Sequence, residues 1–100
     1  MHIDKISEIG IDHKERLYIR PENAEFPYIY REAMEVHWNS EAKFLYSPKP
    51  REWSYLSWLK QMLCATEQQS YKLIATPETI FTNIPNELKK EIHAWLSAKA

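Results

Sequence analysis

The chain has 100 residues, with 13 lysines and arginines against 14 aspartates and glutamates and a formal net charge of −1. That length supports one domain, 1–100, with a single core, and the balanced charge, with no run of one sign, argues against nucleic acid as a partner. A lone cysteine, Cys64, excludes an internal disulfide framework and fits a reducing, cytoplasmic setting; no stretch reaches the ~18 apolar residues of a membrane span, and 1–10 lacks the apolar centre of a secretion signal.

Ile3, Ile6, Ile9 and Ile11 precede the turn-forming residues 12–15, and Leu17-Tyr18-Ile19, closed by Pro21, completes a first predicted hairpin. The polar, proline-bounded stretch 21–27 reads as a connecting loop. A second strand is predicted over Tyr28 to Trp38, where Tyr28, Tyr30, Met34, Val36 and Trp38 share one side by alternation. Glu32 interrupts that side. A β-bulge at Arg31 to Ala33 or an exposed edge is the plain explanation; a carboxylate held against an apolar surface and a helical turn begun by Glu32-Ala33-Met34-Glu35 are the others. Asn39-Ser40-Glu41 supplies the next turn, Phe44-Leu45-Tyr46 the returning strand, and Ser47-Pro48-Lys49-Pro50 ends it, because prolines remove ladder donors.

Pro50 suits the first position of a helix, since its missing N–H has no intrahelical partner there in any case. The helix is predicted over 50–68, with Tyr55, Leu56, Trp58, Leu59, Met62, Leu63 and Ala65 on one buried face. Trp53 falls off that face, beside Ser57, Lys60, Gln61 and Cys64. Short strands follow over Tyr71 to Ala75 and Thr79 to Thr82. Pro85 then opens a terminal helix, 85–98, that turns Leu88, Ile92, Trp95 and Leu96 inward and uses Ile84 as a staple. The expected fold class is α+β, an antiparallel sheet of about four to six strands covered by two helices.

Chemical signatures are sparse. His2, His13, His37 and His93 are scattered, Cys64 has no CxxC partner, and no glycine-rich loop exists, so neither a metal nor another cofactor is expected. Glu32 and His37 as an acid–base pair would define a small enzyme, but on a strand they face opposite ways unless a bulge intervenes. Nine of the 13 aromatic residues lie between Phe26 and Trp58, and a single core leaves some of them over. The candidate binding residues are therefore Tyr46, Arg51, Trp53 and Trp38. A rigid proline corner, cations and an off-face indole combine the residue types enriched at contact hot spots. The competing reading folds Trp53 over the sheet edge and stacks Arg51 on a ring.

Leu17-Tyr18-Ile19-Arg20-Pro21, Phe26-Pro27-Tyr28-Ile29-Tyr30-Arg31 and above all Leu45-Tyr46-Ser47-Pro48-Lys49-Pro50-Arg51-Glu52-Trp53-Ser54-Tyr55-Leu56 resemble small bacterial proteins carried on mobile elements such as integron gene cassettes. The likeness spans about residues 17–63. It implies a compact cytoplasmic bacterial α+β protein, often self-associating, and keeps toxin-neutralising immunity proteins in view; it transfers no site residues. The function expected from all of this is a binding module, a homodimer or a holder of another protein or a small apolar ligand, with the immunity protein and the Glu32/His37 enzyme as alternatives.

Overall fold

A computed structural model describes residues 1–99. Strands β1 (His2–Ile11) and β2 (Leu17–Pro21) form the expected antiparallel hairpin. Its turn needs no glycine. Asp12 Oδ1 accepts from the backbone N–H groups of Lys14 and Arg16, both at 2.9 Å, while Glu15 takes the left-handed conformation at φ 63°. A register shift between Ile6 and Glu8 resets the alternation along β1, so Asp4, Ile6 and Ile9 all point inward and Ile3 is left exposed.

Beyond β2 the sheet continues through β4 (Phe44–Tyr46) to β3 (His37–Asn39), each pair antiparallel. The other edge of β1 takes two strands end to end, β5 (Tyr71–Ile74) along His2 to Lys5 and β6 (Ile80–Thr82) along Glu8 to Gly10. Thr79 bridges the gap between them by donating its hydroxyl to the Ile6 carbonyl at 2.6 Å. Both pairings are parallel, because the chain returns to this edge only after a helical crossover. The six-stranded sheet is thus mixed and mostly antiparallel, and the α+β class holds.

Helices α1 (Tyr55–Gln68) and α2 (Asn86–Lys99) close one face. Trp58, Leu59, Met62, Leu63 and Ala65 of α1, with Ile92 of α2, pack on Ile6, Ile9, Leu17, Ile19 and Leu45 of the sheet. The helix α1 begins at Tyr55 rather than Pro50. Ser54 is extended, and its side chain accepts from the Ser57 N–H at 3.1 Å, a cap that leaves 48–53 outside the helix as a corner.

The predicted strand over Tyr28 to Trp38 is corrected to a 3-10 turn, Ile29–Arg31, followed by further turns, with only 37–39 extended. Phe26, Ile29, Ala33 and Val36 are buried, a 3-4-3 spacing of helical kind, so Tyr28, Tyr30 and Met34 face solvent instead of sharing a core side. No bulge forms at Glu32. Its N–H closes the 3-10 turn on the Ile29 carbonyl at 2.9 Å, and its side chain is exposed; a helical turn does form, three residues earlier than Glu32 to Glu35.

Two inner carboxylates tie the frame together. Burial tends to raise the pKa of Asp4, but the N–H groups of Ala24, Asn23 and Lys5 bonded to its carboxylate outweigh that and hold it below the ordinary value. At Glu8 desolvation likewise raises the pKa, and the Thr82 and Tyr18 hydroxyls with the Arg20 guanidinium overcome it and hold the carboxyl below its ordinary value. Stability from such lowered groups is present above their unfolded values and lost as pH falls through the folded ones. The thermal midpoint should therefore stay level down to about pH 5 and drop as pH falls through about 4 and below. Asp4→Asn should flatten that slope in a melting series; an unchanged slope would remove Asp4 from the account.

Candidate functional site

The 48–53 corner is held at both ends. Ser47 donates its N–H to the Leu17 carbonyl at 2.9 Å, anchoring the start to β2. The Lys49 ammonium meets the Glu15 carboxylate, which lifts the lysine above its usual range, and the Tyr55 hydroxyl donates to the Glu15 carbonyl at 2.9 Å. Ser54 then caps α1. Arg51, Glu52 and Trp53 form a lip between fixed points, all exposed.

Opposite the lip stands the turn that carries Met34 and Glu35. Ala33 and Val36 are buried and bonded to each other, Val36 N–H to Ala33 carbonyl, so the two residues between them are pushed outward, Glu35 at φ 66°. Between lip and turn lies a groove of about 500 Å³, floored by Trp58 and edged by Pro48, Lys49 and Gln61. Trp53, 47 % exposed, lies on Trp58 with ring centroids 4.9 Å apart and planes tilted by 45°. Met34 is 84 % exposed. Arg51 and Glu35 face each other across the opening at 3.8 Å, an exposed and loose ion pair of little energetic weight.

Of the four candidate binding residues, the structure brings Arg51 and Trp53 together here and sends the others elsewhere. Tyr46 lies on the helix-free face of the sheet, with the Arg16 guanidinium 4.5 Å over its ring and His37 at 5.5 Å. Trp38 points inward and meets Phe26 edge-on at 5.9 Å, its Nε1 buried with no acceptor. Glu32 and His37 line neither this groove nor a smaller one of about 160 Å³ between α1, β5 and α2. Met34, Glu35 and Pro48 were not candidates from the sequence; the 3-4-3 spacing from Phe26 to Val36 was the signal that turns Met34 outward. Among the described residues, no three His, Cys, Asp or Glu side chains are placed to hold a metal ion, and no helix is long and apolar enough to cross a membrane.

Comparison with known proteins places these residues in a family. A search of curated proteins returns no match. A solved structure, "Structure from the mobile metagenome of North West Arm Sewage Outfall: Integron Cassette Protein Hfx_Cass5", is 44% identical in sequence over 97% of this chain and 98% of that chain, with a TM-score of 0.49. The family model for Integron Cassette Protein Hfx_Cass5 matches residues 4–76, a span that contains both walls of the groove. The chain belongs to the Hfx_Cass5 family of integron cassette proteins.

Proposed function

We propose that this protein is a cytoplasmic bacterial interaction module, not an enzyme, that self-associates through the surface around Met34 and Trp53. One observation carries the reading. Of the seven large exposed apolar side chains among the described residues, Tyr28, Tyr30, Met34 and Trp53 sit on the two connections that form the groove walls, whereas Met1, Ile3 and Ile80 belong to strand ends or edges. Single exposed apolar residues need no explanation; a cluster on adjoining loops marks a contact surface. The single exposed thiol, Cys64, suits a compartment that keeps it reduced.

Sedimentation across a concentration series tests the reading. The wild-type chain should shift from its monomer mass of 12.0 kDa to twice that value as concentration rises towards about 100 μM. The double variant Met34→Ser/Trp53→Ser, folded by circular dichroism, should associate at least about tenfold more weakly, the scale of one hot-spot contact. A wild-type chain that stays monomeric, or a variant that associates as well, would overturn it.

A further inference from the structure

The sheet ends at β5, which pairs with β1 and has no strand on its other side. Its register shows which main-chain groups that leaves over. The His2 N–H donates to the Ser70 carbonyl at 2.8 Å, and the paired residues are His2 with Tyr71 and Asp4 with Leu73. In a parallel ladder each residue bonds to the two that flank its partner, so β1 engages Ser70, Lys72 and Ile74. The N–H and C=O groups of Leu73 therefore point out of the free edge, and neither has a hydrogen-bond partner among the described residues.

The smaller hollow, of about 160 Å³, opens along this edge. Lys72, Leu73, Ile74 and Ala75 all border it, and four consecutive strand residues can do so only at an edge, since their side chains alternate between faces. Leu63 of α1 and Leu96 of α2 line it on the helix side, where Leu73 also packs into the core. A residue that exchanged both hydrogen bonds with Leu73 in an antiparallel pair would carry its side chain on that same face. It would enter the hollow.

The next residues along would face Lys72 and Ile74 on the helix-free side. Lys72 there neighbours Lys5, the partner of Ile74 in β1, and neither lysine makes an ion pair among the described residues. The carboxylate at the hollow, Glu67, comes from α1 on the helix side, so an acid is matched only opposite Lys72. A second copy of β5 does not fit. Its own Leu73 is already packed in its core, and two-fold pairing would place both Lys72 side chains on one face of the junction.

We infer that β5 and the hollow beside it hold an extended segment of a partner protein, paired antiparallel, with an apolar residue opposite Leu73 and an acidic one opposite Lys72. This surface is separate from the one around Met34 and Trp53 and does not depend on it.

The probe is a seven-residue peptide with valine-leucine-glutamate at its centre, titrated into the full chain by NMR. It should bind with a dissociation constant below about 1 mM. The Leu73 amide resonance should move downfield and the amide gain protection from hydrogen exchange. Methylating the peptide nitrogen of the leucine, or replacing that leucine by alanine, should weaken binding at least about tenfold. Lys72→Glu should weaken it about fivefold and favour a peptide with lysine in place of the glutamate. No binding at about 1 mM, a methylated peptide that binds as well, or a Leu73 amide that does not respond overturns the inference. So does protection of that amide on concentrating the chain alone, which would put a second copy at the edge. Met34→Ser/Trp53→Ser should bind the peptide like wild type; lost binding would place the peptide in the larger groove instead.

Discussion

Phe26→Ala is expected to cost about 3–5 kcal/mol of stability, the range for emptying a large aromatic site in a close-packed core. Phe26 is fully buried and meets two rings edge-on, Trp38 of β3 at 5.9 Å and Tyr71 of β5 at 5.3 Å. Its carbonyl also accepts the Ile29 N–H at 3.1 Å, which starts the 3-10 turn. One side chain therefore joins opposite edges of the sheet to the segment that bears the Met34 wall of the groove. The segment's other buried side chains, Ile29, Ala33 and Val36, are smaller, so losing the ring removes its largest anchor. Urea unfolding of Phe26→Ala and Phe26→Leu is the measurement. Leucine should recover a large part of the loss by refilling most of the volume; an alanine variant within about 1 kcal/mol of wild type would show that the segment is anchored otherwise.

Phe26 also shows where sequence reading stopped. It lies in a stretch that composition marks as loop, and a single apolar residue among polar ones has no period to reveal its burial. The next residues were read at period 2 because Tyr28, Tyr30 and Trp38 favour strands, whereas the chain buries Ile29, Ala33 and Val36 at helical spacing; tertiary anchoring overrode β propensity. The error extended to the groove. It assigned Tyr28, Tyr30 and Met34 to the core and hid one wall of the groove. The first hairpin, the Phe44–Tyr46 strand and both helix bodies were readable because their patterns are local and their turns carry Asp, Asn or Pro. The start of α1 slipped by five residues, since Pro50 and Ser54 both fit a helix beginning and only the Ser54 hydroxyl bonds to the first turn. The parallel docking of β5 and β6 on β1 was beyond reach, as it joins segments about seventy residues apart with no local mark. Trp53 had no place on the predicted wheel because it lies before the helix, half-exposed against Trp58.

The chain's single glycine makes the sharpest test of the helix-free face. Gly10 has no positive φ, so its backbone does not require glycine; the space above it does. Gly10 pairs with Tyr18 across the β1–β2 ladder, and a Cβ on Gly10 would meet the tyrosine ring, standing 2.7 Å from Cε1. The ring lies flat over the strand, which is why Tyr18 is only 8 % exposed on a face that no helix covers. It cannot slide away freely, because its hydroxyl donates to Glu8 at 2.8 Å and Phe44 packs beside it at 4.9 Å. Glu8 also takes bonds from Thr82 of β6 and Arg20 of β2, so lifting the ring loosens a carboxylate that three strands share. Gly10→Ala is thus expected to destabilise by about 2–3 kcal/mol, through overpacking and the lost hydrogen bond. In a Tyr18→Val background the obstacle is gone, and the same substitution should become neutral or stabilise by up to about 1 kcal/mol, since alanine loses less backbone entropy than glycine in a strand. A double-mutant cycle by urea unfolding reads that reversal of sign directly. If Gly10→Ala costs as much without the ring as with it, the ring is not what keeps position 10 a glycine.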